Sequence, residues 1–179
     1  MKIRVIDITE KEKLLESADD VSFYPTLLEA QRAGECTFTS PLAVSLSVVR
    51  EYGHIRLNGR IAVSVDLSCS RCLVDFSKDL SSAFTIYYTQ AAETSAEEDE
   101  VELGESDLIA AFYSGDEIDF SDEIAQQVLL ELPYKPLCSE GCKGLCPVCG
   151  VDMNSVACGC NSTTKSLAFS PLQGFKVNK

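Results

Sequence analysis

The chain has 179 residues, 45% apolar and 24% charged, enough for one ordinary domain with a core of its own, or one domain and a small appendage. No run is long enough to span a bilayer, and residues 1–20 lack a signal-peptide core, so the expectation is a soluble cytoplasmic protein with no membrane partner. A net charge of −13 argues against a simple binder of phosphate backbones.

In chain order, Thr9 with Glu12 matches a capping box and predicts a short helix around residues 10–17. Residues 21–35 are ambiguous, although Pro25 suits the first turn of a second short helix. From Cys36 the pattern becomes that of strands. In "LAVSLSVV", Leu42, Val44, Leu46 and Val48 alternate with smaller residues. In "IRLNGRIAVSVDL", Ile55, Leu57, Ile61, Val63, Val65 and Leu67 take the odd positions, and Arg56, Asn58, Arg60, Ser64 and Asp66 are among the even ones. Gly59 falls on the apolar side, where a bulge or close packing would call for it. Tyr52, Gly53 and His54 join these strands as a hairpin. A third strand follows at 74–89, with Leu80, Phe84, Ile86 and Tyr88 on one face. Residues 91–105 read as a solvated, mobile acidic loop. "SDLIAAFYSG" reads as a short helix from Ser106 to Gly115. "SDEIAQQVLLELP" is the clearest helix: Ser121 caps it, Ile124, Val128 and Leu132 form a stripe, and Pro133 stops it. Residues 161–179 are polar with a late apolar set, Leu167, Phe169, Leu172 and Phe175, as in a docking tail.

Charge is unevenly distributed. Residues 1–78 carry 10 basic and 11 acidic side chains, 79–134 carry 15 acidic and no basic ones, and 135–179 carry 5 Lys and 2 acids. The acidic middle repels nucleic acid, so any such contact falls to the first third or to the tail. The same acidity is suited to a basic protein partner, although a solubilising loop explains it equally well.

Eight of the nine cysteines fall in four pairs: Cys69/Cys72, Cys138/Cys142, Cys146/Cys149 and Cys158/Cys160. In a reducing compartment such pairs are metal ligands or redox groups rather than disulfides. "CPVCG", Cys146 to Gly150, is a zinc-knuckle sequence: two thiolates chelate one tetrahedral ion, Pro147 stiffens the turn and Gly150 lets the backbone fold under the sulfurs. A structural zinc takes two pairs, and so two zinc ions are expected. Cys69 and Cys72, between the second and third strands, would join Cys138 and Cys142. Cys146 and Cys149 would join Cys158 and Cys160. The alternative is a single site of Cys142, Cys146, Cys149 and Cys160. Cys36, alone beside a strand, reads as a small core residue. Thiol oxidoreductase chemistry would need a low-pKa cysteine at a helix N-terminus, and no helix signal follows Cys69. His54 reads as a solvated loop histidine rather than a general base. Arg56 and Arg60 read as a solvated sheet face. No phosphate-binding glycine loop or nucleophile elbow is present, so no catalytic residue, enzyme activity or small-molecule substrate is expected.

"VSVDLSCSRCLVDF" (63–76), "EIAQQVLLELPYKPLC" (123–138), "CKGLCPVCGVDMN" (142–154) and "CGC" (158–160) together resemble the YceD family of bacterial and plastid proteins, the large ribosomal RNA subunit accumulation proteins. The closing "SLAFSPLQGFK" is similar to that family's last segment. The resemblance implies a non-enzymatic ribosome biogenesis factor that supports accumulation of large-subunit ribosomal RNA. Its partner would be a ribosomal protein or a pre-ribosomal particle, with ribosomal RNA itself the next candidate. A zinc-ribbon nucleic-acid-binding regulator is the alternative reading. The expected fold is α+β. It has a mainly antiparallel sheet or partial barrel under covering helices (residues 1–134) and a cysteine-rich, zinc-ribbon-like tail (135–179) packed on it.

Overall fold

The computed structural model describes residues 1–91 and 110–160. Three long strands carry the alternation read above: β4 (Leu42–Glu51), β5 (His54–Ser68) and β6 (Asp75–Gln90). β4 and β5 pair antiparallel from Ala43↔Ala62 to Glu51↔His54, joined by a two-residue turn. Tyr52 (φ 45) and Gly53 (φ 88) are both left-handed there, the turn whose twist matches that of the strands it joins. β5 and β6 pair antiparallel from Ile55↔Tyr88 to Ser68↔Asp75. The continuous register leaves no bulge at Gly59, which lies between Leu46 and Phe84. A Cβ there would sit 2.1 Å from the tip of the Phe84 ring, so close packing accounts for this glycine.

Around this hairpin pair are β1 (Lys2–Arg4), β2 (Lys13–Asp19), α1 (Pro25–Arg32), β3 (Thr37–Phe38), β7 (Ala110–Tyr113), β8 (Glu117–Asp119) and α2 (Ser121–Glu131). Among the described residues the main sheet has six strands in the order β2-β4-β5-β6-β7, with β3 also on β5, and it does not close into a barrel. Its pairings are antiparallel except β6–β7, which run parallel from Tyr87↔Ala110 to Gln90↔Tyr113. A parallel pair needs a long connection, and the chain between Gln90 and Ala110 is long enough to provide one. β1 and β8 form a separate two-stranded ribbon.

The alternate residues of β4 and β5 predicted to face inward are all buried, as are Leu80 and Tyr88 of β6. Each fully buried aliphatic side chain contributes about 1.5–3 kcal/mol. The helices cover this face: Leu27 of α1 and Ile124, Ala125 and Val128 of α2 join the same core, with Tyr24 and Phe120 beside them. Cys36 belongs to it as well, and burial pushes its thiol up.

Three local expectations are corrected. Residues 13–19 form β2, not a helix. Thr9 Oγ1 accepts from the Lys11 N–H (3.2 Å) in a turn, Glu12 accepts from the Ser47 hydroxyl, and the open edge of β4 takes up the segment. Ala110–Tyr113, assigned to a helix from the sequence, is β7. Ala111 and Tyr113 pack on the core while Phe112 is exposed, a period of two; residues 106–109 lie outside the described set. Ser121 does not cap α2: it is the first helical residue, and Asp119 Oδ1 accepts from its N–H (3.1 Å) and its hydroxyl (2.6 Å). Residues 92–105 of the acidic loop and the tail 161–179 also lie outside the described residues.

Candidate metal centres

The connection between β5 and β6 folds back on itself. The Leu73 N–H donates to Cys69 O (2.9 Å) and the Cys69 N–H to Val74 O (3.0 Å), with Leu73 left-handed at φ 61. That turn places the Cys69 and Cys72 sulfurs on one side, at the end of the sheet. After α2, Pro133 ends the helix and the chain runs to the same end, where the Ser70 N–H donates to Pro136 O (2.8 Å). Cys138 and Cys142 follow on a turn closed by the Cys142 N–H donating to Ser139 O (3.1 Å). Arg71 Nη1 then donates to Cys142 O (2.8 Å), fastening the tail to the hairpin tip.

The sulfurs of Cys69, Cys72, Cys138 and Cys142 lie within 4.8 Å of one another. Cys69 to Cys142 is 3.8 Å and Cys72 to Cys138 is 3.6 Å. Zinc–sulfur bonds of about 2.3 Å at tetrahedral angles put sulfurs roughly 3.8 Å apart, so this donor set fits a zinc ion. Cys69, Cys72 and Cys142 are buried in a small cluster of their own with Phe76, Leu137 and Leu145 against it.

The second group repeats the first turn. The Gly150 N–H donates to Cys146 O (2.9 Å) and Gly150 is left-handed at φ 73, as Leu73 is in the first. Leu145 bridges Asp152, and the Cys146 N–H donates to Val151 O (2.8 Å), giving a minimal hairpin. A turn at 152–156 brings the chain back to Cys158 and Cys160. The sulfurs of Cys146, Cys149, Cys158 and Cys160 again lie within 4.8 Å of one another. The structure thus brings together the eight cysteines in the two groups of four that the spacing led us to expect, and not the single group of Cys142, Cys146, Cys149 and Cys160.

Each group has one thiol drawn down and others pushed up. Backbone hydrogen bonding at Cys138, working against desolvation and helped by the N–H groups of Cys72 and Arg71, brings Cys69 to about 6. Backbone hydrogen bonds from Cys149 and Val148 bring Cys146 to about 6. At Cys72 a backbone hydrogen bond at Val74 pulls down, but desolvation and the facing sulfurs win and push it up to about 12. The neighbouring Cys149 sulfur, then desolvation, push Cys160 up to about 12. Sulfurs so crowded resist sharing negative charge among themselves, and a shared cation relieves that. A thiol near 6 is also what redox chemistry uses, but Cys69 is wholly buried and sits between two strands, not at an exposed helix N-terminus.

The remaining candidates stay apart from these groups. His54 is exposed at the start of β5, its Nδ1 3.1 Å from Thr89 Oγ1. Arg56 pairs with Glu51 (2.7 and 3.0 Å), and Arg60 is exposed on the outer sheet face. Sequence reasoning missed Arg71, Leu73 and Asn154, which support the sulfurs without offering ligand atoms. The available signal was polar donors inside the cysteine spacings, "CSRC" and "VDMNS".

The family model described as "Large ribosomal RNA subunit accumulation protein YceD" matches residues 57–176, a span that contains all eight clustered cysteines. Two relatives are named "Large ribosomal RNA subunit accumulation protein YCED homolog 1, chloroplastic". The one from Arabidopsis thaliana is 27% identical over 155 residues, 74% of this chain and 48% of its own. The one from Zea mays is 28% identical over 159 residues, 75% of this chain and 53% of its own. An uncharacterised protein of Mycobacterium bovis is 33% identical over 104 residues, 56% of this chain and 46% of its own. The chain spans about half the length of the curated relatives it matches. No solved structure matches it.

Proposed function

The chain belongs to the YceD family, and from that premise we propose that it is a non-enzymatic factor supporting the accumulation of large-subunit ribosomal RNA. The observation that carries this reading is the match over 57–176, which takes in both thiol groups, together with plant relatives named for the same role. The eight cysteines would hold two zinc ions, Cys69, Cys72, Cys138 and Cys142 one and Cys146, Cys149, Cys158 and Cys160 the other. With all four positions filled by protein sulfur, each ion would be structural and leave no open site for catalysis. The first ion would tie the cysteine-rich segment to the end of the β5–β6 hairpin, and the second would close the loop from Cys146 to Cys160.

The protein acts in the cytoplasm, on a ribosomal protein or pre-ribosomal particle. Residues 79–134, with 15 acidic and no basic side chains, favour a basic protein over RNA as the direct contact. No helix of the described residues is long and apolar enough to cross a membrane. Deleting the gene tests the reading. Large-subunit RNA should fall relative to small-subunit RNA and recover on complementation; an unchanged ratio would remove the role.

A further inference from the structure

We propose that Asn154 couples the two metal centres, so that the first is held in part by a residue that the second keeps in place. This rests on the reading of both thiol groups as metal sites.

Asn154 lies between Cys149 and Cys158, inside the loop that the second group closes. Its side chain does not point to that group. The Nδ2 amide donates to the Sγ of Cys142, a member of the first group, at 3.4 Å. The orientation of the amide is fixed by its other partners: Oδ1 accepts from the Lys143 N–H (2.7 Å), and Nδ2 also donates to Asp152 Oδ1 (2.7 Å). A flipped amide would set a donor against the Lys143 N–H and an acceptor against both the sulfur and the carboxylate. Asp152 Oδ1 also accepts from the Asn154 backbone N–H (2.9 Å), so the turn presents the side chain as a unit.

The backbone follows the same path. Three residues, Lys143–Leu145, separate the last cysteine of the first group from the first of the second. The Met153 N–H donates to Gly144 O (3.0 Å), and the Leu145 N–H donates to Arg71 O (3.1 Å) in the first knuckle. Gly144 is left-handed (φ 73), and a Cβ there would come within 3.0 Å of Arg71 O, so the linker lies hard against the first knuckle.

Four thiolates around one divalent ion leave an excess of negative charge, and an N–H donated to a sulfur stabilises it. Loss of the second ion frees the chain between Cys149 and Cys158, and with it the Asn154 contact to Cys142. The coupling is reciprocal, so the first ion also strengthens the second site.

The test is cobalt(II) titration of the full chain against a competing chelator, following thiolate-to-metal absorption. Asn154→Ala should weaken the first site about tenfold or more and leave the second with the smaller change. Cys158→Ser with Cys160→Ser, which disables the second site, should weaken the first by a similar factor. Adding Asn154→Ala to that pair should then cost little more, which an independent structural role for Asn154 would not produce. First-site affinity unchanged in either background, or fully additive losses, would overturn the coupling while leaving the metal reading intact. No cobalt uptake at all would overturn both, without touching the ribosomal RNA reading.

Discussion

Leu73 and Gly150 occupy the same left-handed position, one residue past the second cysteine of each knuckle. Glycine adopts it freely, whereas a leucine pays about 1–2 kcal/mol for its Cβ. Leu73 recovers little of that by burial, since it is 68% exposed. Leu73→Gly should therefore raise stability by about 0.5–1 kcal/mol, read as a higher urea midpoint, while Leu73→Val should lower it. Equal loss from both would mean the side chain, not the backbone, matters there. Gly59 is constrained by space and not by its backbone angles. Gly59→Ala drives a methyl into the Phe84 ring and should cost about 1–3 kcal/mol. The penalty should shrink when Phe84→Leu is already present, and a cycle showing no interaction between the two changes would contradict the packing account.

At the scale of elements, the sequence was legible wherever a strand was long. Ten to sixteen residues of β4, β5 and β6 repeat their alternation often enough to exclude a helix. It was not legible at β2 and β7, where a handful of residues fit either period. There the outcome depended on a partner edge the local sequence does not mention, β4 for one and β6 for the other. The cysteine groups were readable from spacing because the chemistry demands four sulfurs per ion. The residues that support them were not, since Arg71 and Asn154 act across 71 and 12 positions of chain. Three cysteines of the first group form a cluster separate from the main core, with Phe76 packed against both. Chelation should accordingly loosen the segment from Pro136 to Cys160 and spare the sheet. In hydrogen exchange, protection should be lost at Leu145 and Cys146 and kept across β4 and β5; loss across the whole chain would show that the metals hold the entire fold.

Among the described residues of the whole molecule, an open sheet covered by two helices carries a cysteine-rich segment fastened at the tip of its longest hairpin. The chain belongs to the YceD family, and the 15 acidic and no basic side chains of 79–134 support the proposed basic partner. Neither explains why eight cysteines come together as two groups of four sulfurs. The proposed metal binding would, and everything proposed for the tail depends on it. Native mass spectrometry of the intact chain, purified under reducing conditions without chelator and titrated with zinc, tests this most directly. The predicted result is two zinc ions per chain, falling to one when Cys69 and Cys72 are both replaced by serine. A plateau at one ion in the unaltered chain, or none, would contradict it.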